Sequence, residues 1–441
     1  MANAGPALGY DGLKPRIRII AGGAMSTTDF DTGPAAGNGL LDRRFFLKAG
    51  AAGGASLLTA VAHGVEREPW MTAPGEGMSE LGHPADADLR RTDVSSRPGT
   101  TGSGVSRTPL QHLDGIITPS RLHFERHHSG IPDIDPGRHR LVVHGMVDRA
   151  LAFSLESLLR YPMVSRIQFL ECSGNSGALI APQPVPGTAS SLHGLVAASE
   201  WGGVPLGVLL DEAGVKPGAR WLVADGADAA VMSRSVPLDK IRDDAIVALY
   251  QNGEPLRPAN GYPMRLFLPG WEGNMSVKWL RSLKVTGEPA MTKDETSKYS
   301  DLRDDGIAEL FSFPMGVKSV ITNPSPGLKL GRPGIYQVSG IAWSGSGRIR
   351  RVEVSADGGK SWADALLDEH VLPKCLTRFR SAWKWDGGSA VLLSRATDET
   401  GSVQPTRAQV LEGRAVNSFY HYNGVQAWQV DAEGELSNVY A

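Results

Sequence analysis

The residue type with the most distinctive chemistry is Cys172. It ends the run RIQFLEC, Arg166 to Cys172, and is followed by Ser-Gly-Asn-Ser-Gly. The run has strand composition and delivers the sulfur to a strand end. The glycines that follow permit turns in which backbone approaches a ligand closely. A thiolate there is a soft ligand, suited to a soft or high-valent metal centre. The alternative is a small buried core residue, the default for a lone cysteine. The chain has only two cysteines, and Cys375 has no evident role beyond packing. They lie far apart, and sequence does not decide whether they pair. No cysteine cluster suggests a zinc or iron–sulfur site, and no C-x-x-C-H occurs, so this chain carries no covalent c-type haem.

A length of 441 residues is too great for one core and implies two domains plus extensions. The formal net charge of −2 gives no indication of a nucleic-acid surface. From Leu40 to Gly64 the chain reads LLDRRFFLKAGAAGGASLLTAVAHG. Arg43 and Arg44 precede Phe-Phe-Leu-Lys, and an Ala/Gly-rich, moderately apolar stretch follows. It is too short and too weakly apolar for a membrane span. The pattern is that of a twin-arginine signal peptide, which exports folded proteins, so residues 1–64 are expected to be an extension plus leader and the mature protein periplasmic. The residues before the leader look poor in structure, and translation could start at Met1 or Met25. A cofactor inserted before export is the usual reason to export a protein folded.

Residues 65–112, with SSRPGTTGSGVSRTP, show no hydrophobic period and read as linker or surface wrap. Within 113–312, RLVVHGMV and RIQFLEC are expected strands, while SLESLLRYP and PLGVLLDEAGV are expected helices, the first with a serine cap and the second closed by Gly214. That mixture makes an α+β domain. Residues 313–441 carry short alternating segments, GIYQVSGIAWSG, RIRRVEVSADGGKSW, RFRSAWKWDG and AVLLSRATDETGSV, separated by Gly, Asp and Ser turns. They predict an antiparallel, immunoglobulin-like β-sandwich.

Several of these blocks, in order, resemble the sulfite oxidase family of molybdenum–molybdopterin enzymes. They are FERHHSGIPDIDPGRHRLVVHG, FLECSGNS, EWGGVPLGVLL, ALYQNGEPLRPANGYPMRLFLPGWEGNMSVKWL, DETSKYSD and GIAWSGSGRIRRVEVSADGGKSW. The resemblance runs from about Ile116 to the C-terminus. It implies a molybdopterin-binding domain followed by a dimerisation domain, and roles position by position. Cys172 would supply the one protein thiolate to molybdenum. Arg126 would face the metal pocket and hold an anionic substrate. His128 would hydrogen-bond the pterin, and Arg265 and Lys278 would meet the pterin or its phosphate. Tyr299 would lie near the oxo ligand and assist proton movement. Without the resemblance each would read as an ordinary surface or strand residue.

Departures from the family pattern bear on substrate. Sulfite-oxidising members carry an arginine five residues after the metal cysteine, where this chain has Gly177, and a pocket tryptophan where Ser191 or Leu192 stands. The expected pocket is wider and less basic, for a substrate larger than free sulfite. A third pocket cation would be Arg378 or Arg380. The segments PKCLTRFRSAWKWDG, SRATDETGSVQPTRAQ and VNSFYHYNGVQAW resemble the sulfane dehydrogenase branch of the family, in the thiosulfate-oxidising Sox system. That resemblance implies oxygen-atom transfer to a sulfane sulfur on a sulfur-carrier protein. It also implies a separate dihaem cytochrome c subunit as electron acceptor and a homodimer core in a heterotetramer. The rival expectations are a sulfite dehydrogenase with the same cofactor, a methionine sulfoxide reductase, disfavoured by the C-terminal sandwich, and an exported, cofactor-free binding protein.

Overall fold

A computed structural model of the chain describes residues 34–42, 93–96, 101–415 and 418–441. Of the leader stretch Leu40 to Gly64, residues 43–64 lie outside the described residues, as do Met1 and Met25. Among those described, no helix is long and apolar enough to cross a membrane.

The first domain is built on two five-stranded sheets, one mixed in direction and one antiparallel. One runs Ser233–Pro237, Trp221–Gly226, Leu280–Thr286, Leu141–Gly145, Leu151–Phe153, with Leu280–Thr286 parallel to Leu141–Gly145 and the other pairs antiparallel. The other runs Glu254–Pro255, Ile246–Gln251, Val196–Pro205, Val164–Glu171, with Arg265–Phe267 also pairing Ile246–Gln251. Ser154 caps the helix Leu155–Leu158 by accepting from the Ser157 amide at 3.1 Å. The helix Leu206–Ala213 buries Leu206, Leu209, Leu210 and Ala213, a single helical stripe, in the core shared with the first sheet. It ends at Gly214, whose φ of +71° suits glycine.

The second domain is the expected sandwich. One sheet has Gly334–Trp343 between Thr377–Trp385 and the edge strand Lys318–Asn323; the other runs Ala363–Asp364, Ile349–Ser355, Ala390–Asp398, Ala427–Val430, Leu436–Val439. Trp343, Trp383 and Trp428 are completely buried, and the Trp428 indole donates to the Ile321 carbonyl across the core at 2.9 Å.

Two stretches read as structureless from composition contain strands. Asp93–Ser96 pairs with Gly104–Arg107, which pairs with Glu125–His127 in a three-stranded sheet, with Val105 opposite Arg126. Ahead of the leader, Pro34–Ala36 and Leu40–Leu41 form a hairpin against Thr377–Trp385. Both are short, so their stability comes from pairing partners that composition does not register.

Candidate active site

The strand Val164–Glu171 carries Cys172 to the edge of a cavity. The Cys172 amide donates to the Leu195 carbonyl at 2.9 Å, and the Cys172 carbonyl accepts from Asn175 at 2.8 Å, which tightens the turn. Ser176 sits in the left-handed region at φ +66°. Gly273 lies so close behind that a Cβ would meet the Glu171 carbonyl at 2.8 Å, and this is why the 270–276 segment can close over the cysteine.

Behind the turn stands a buried bracket that sequence reading missed. Glu171 accepts from Lys318 at 3.2 Å, from the Trp343 indole at 2.6 Å and from Asn175 at 2.9 Å. Lys318 also donates to Ser176 Oγ at 2.7 Å and to the Tyr422 carbonyl at 3.0 Å. Ser176 in turn bonds His193 at 2.7 Å, and His193 bonds Gln426 at 3.0 Å. Lys318 and Trp343 belong to the sandwich, so the second domain holds the cysteine turn of the first. The available signal was a glutamate immediately before the cysteine in an otherwise buried strand segment.

All six residues singled out from the sequence, Arg126, His128, Cys172, Arg265, Lys278 and Tyr299, line this one cavity. Arg126 comes from the three-stranded sheet, and its guanidinium donates to the neighbouring His127 carbonyl. The Lys278 ammonium donates to His127 Nδ1, the Ala259 carbonyl and the Arg126 carbonyl at 2.9, 3.1 and 3.2 Å. Arg265 donates to the Ser276 and Asn260 carbonyls at 2.7 and 3.0 Å. The last two are thus held entirely by neutral acceptors. Burial, reinforced by Arg265, drops Lys278 to about 7, and burial drops Arg265 to about 9. Burial also takes His123 and His128 to about 4, with the neighbouring cations pushing the same way. Such a wall is electrostatically incomplete without an anion.

His128 Nε2 meets Tyr299 Oη at 2.9 Å, which leaves Nδ1 as the ring atom able to face a ligand. Tyr299 has φ +47°, and burial raises its phenol well above the usual range, so it keeps its proton. Over its ring, 4.9 Å away, lies the fully buried Arg234, clamped by Glu272 at 3.0 Å and Glu295 at 3.0 Å. These three residues were also missed; their ion pairs close over separations that spacing does not reveal.

Neither Arg378 nor Arg380 lines the cavity. Arg378 donates to the Gly115 carbonyl at 2.6 Å, and Arg380 pairs with Asp368. Strand alternation points them into other contacts. The expectation of simple extra room at Gly177 also needs correction. A Cβ there would meet the Phe419 carbonyl at 2.7 Å and its ring at 3.1 Å. The place of a cation is taken by an aromatic side chain that remains 46% exposed. Phe419 stacks on Tyr420 at 4.2 Å, and Tyr420 reaches Tyr299 at 5.4 Å.

The cavity fits a pterin-type cofactor. His123 Nε2, Asp228 Oδ1, Arg265 Nε and Asn274 Oδ1 are buried there without a hydrogen-bond partner. Donors and acceptors are both left open, as a ring edge bearing both would require. Among the described residues no group of three or more His, Cys, Asp or Glu could hold a metal ion, so a metal on Cys172 would draw its other donors from the cofactor.

Comparison with known proteins agrees with this geometry. Residues 128–293 match the oxidoreductase molybdopterin binding domain, and residues 311–427 the Mo-co oxidoreductase dimerisation domain. The chain is 31% identical to sulfite oxidase of Gallus gallus over 320 residues, covering 66% of this chain and 68% of that one. It is 32% identical to the NADH nitrate reductase of Solanum lycopersicum over 357 residues, 68% of this chain but 38% of that protein. The crystal structure of the sulfane dehydrogenase SoxCD from Paracoccus pantotrophus superposes with a TM-score of 0.82 at 43% identity, covering 85% of this chain and 98% of that one. Fold and site together define a molybdopterin-dependent oxidoreductase. The chain belongs to the sulfite oxidase family, whose cofactor is molybdenum–molybdopterin.

Proposed function

We propose that the protein is the molybdenum subunit of a periplasmic sulfane dehydrogenase, oxidising sulfane sulfur bound to a carrier protein and passing electrons to a dihaem cytochrome c subunit. The observation that carries this reading is Gly177 under Phe419. Where a small dianion would need a converging cation, the turn after Cys172 carries an exposed aromatic surface suited to a substrate presented on a polypeptide. Support comes from the 43% identity to a sulfane dehydrogenase, against 31% to a sulfite oxidase. The dimerisation domain supports a homodimer core within a heterotetramer. The twin-arginine pattern supports export in the folded state, and the absence of a haem-attachment motif in this chain fits an electron acceptor on another subunit.

In this reading Cys172 would ligate the molybdenum, while Arg265, Lys278 and His128 would hold the pterin and its phosphate. Such a cofactor, when bound, would supply the oxygen atom for transfer to sulfur and the sink for the two electrons released. Arg126, at the cavity wall, binds the anionic oxygen that develops on the substrate. Tyr299 keeps its proton and shares it with His128, so this pair offers a neutral donor beside the reacting sulfur rather than a charge. Arg234, clamped from behind, holds the Tyr299 ring in place. The test is turnover of the cofactor-loaded protein with its cytochrome. Carrier-bound sulfane sulfur is expected to reduce the cytochrome much faster than free sulfite. Preference for sulfite would overturn the proposal in favour of a sulfite dehydrogenase.

A further inference from the structure

The hairpin ahead of the leader is not an unstructured extension. Asn38 and Gly39 at its tip both take left-handed backbone, at φ +56° and +83°, the signature of a tight hairpin turn. The tip inserts where the two sheets of the sandwich meet. From the first sheet, the Trp383 indole donates to the Asn38 carbonyl and the Lys384 amide to the Gly39 carbonyl, each at 2.7 Å. From the loop after the strand Ile349–Ser355 of the other sheet, Ala356 accepts from the Asn38 side chain at 2.8 Å and Ser361 accepts from the Gly37 amide at 2.6 Å.

The fit excludes most sequences. A Cβ at Gly39 would lie 2.0 Å from the Lys384 carbonyl, and one at Gly37 would lie 2.3 Å from Asp357 Oδ2. Leu40, next in the chain, is completely buried and belongs to the sandwich core; Leu41 is 3% exposed. Two glycines, a left-handed asparagine and a fully buried leucine thus meet one shaped slot. After Asp42 come Arg43 and Arg44, the pair that marks the leader.

We propose that the edge of the sandwich around Trp383, Lys384, Ala356 and Ser361 is a binding site for the chain's own Gly-Asn-Gly-Leu-Leu hairpin. Docking there pins the start of the leader to the folded second domain. The slot exists only when both sheets are formed, because each contributes hydrogen bonds to the tip. Docking of the hairpin, one residue ahead of the paired arginines, therefore requires a folded sandwich. Removal of the leader would take the hairpin with it and leave the Trp383 indole and the Lys384 amide open to another strand. This second half rests on the leader reading; the docking itself does not.

The test is hydrogen exchange on the full chain. The amides of Gly37 and Lys384 are expected to be protected in the unaltered protein. In G39V their protection drops by about 100-fold while amides within Val338–Ile341 stay protected. N38A alters only the hairpin, so it cannot unfold the sandwich directly; it is expected to give a smaller loss in the same direction, together with faster tryptic cleavage after Arg43 and Arg44. Free exchange at Gly37 and Lys384 in the unaltered chain, or no change in either variant, overturns the docking proposal. N-terminal sequencing of exported protein tests the second half separately. Loss of residues 34–42 supports it, and their retention overturns the leader half while leaving the slot intact.

Discussion

Two buried lysines stand on opposite sides of Cys172, and they are treated in opposite ways. Lys318, behind the turn, is 1% exposed and meets a carboxylate, a hydroxyl and a carbonyl. Lys278, in front, meets two carbonyls and an imidazole, with Arg265 adding repulsion. Burial lowers both, but Glu171 offsets the loss at Lys318, whereas Lys278 falls to about 7. The first charge is completed by the protein and serves structure. The second is left for a ligand to complete. A functional site is marked less by the presence of charge than by charge that the fold leaves uncompensated.

That contrast can be broken by substitution. The largest effect is expected from C172S, which removes the thiolate and with it turnover, while circular dichroism shows a retained fold; near-native turnover would refute the ligand assignment. K318M strands Glu171 in the core and is expected to destabilise by about 3–5 kcal/mol in urea unfolding. The double variant K318M/E171Q should recover part of that loss. K278M is expected to do the reverse. It leaves the cofactor-free protein as stable as before or more so, but lowers the cofactor retained on purification by roughly 10–100-fold, read as molybdenum per chain. If K278M destabilises as much as K318M, the distinction between the two lysines fails.

Smaller effects follow at the rim and in pH dependence. F419A is expected to raise KM for carrier-bound substrate about 3- to 10-fold with kcat nearly unchanged, since it removes contact area and no reacting group. For Lys278 the folded value of about 7 lies below the unfolded value near 10.4. Below pH 7 both states are protonated and the full cost of the buried charge is present. Above it the folded state releases a proton that the unfolded state keeps, so stability of the cofactor-free protein rises with pH toward about 10. An anionic cofactor restores the ammonium, and urea midpoints of the loaded protein at pH 6.5 and 9 are expected to show a flatter slope.

Much of this was legible in the sequence, for identifiable reasons. Cys172 and its glycine-bearing turn are local, and so is the helical stripe from Leu206 to Ala213. The alternation in RFRSAWKW gave the sandwich. What escaped were features made by distance. Glu171 finds Lys318 147 residues on. Phe419 covers Gly177 from the far end of the chain, and the strand Gly104–Arg107 acquires its meaning only beside Arg126. Spacing shows what a residue can do locally, but not which distant group will stand against it.

The bracket of Glu171, Lys318 and Trp343 has one more consequence. It ties the cysteine turn to the first residue of one sandwich strand and the last of another, so neither domain can open without exposing the buried charges of the other. The two halves are therefore expected to melt together. A calorimetric scan would show a single endotherm for the whole molecule, with loss of the cysteine turn and collapse of the sandwich as one event.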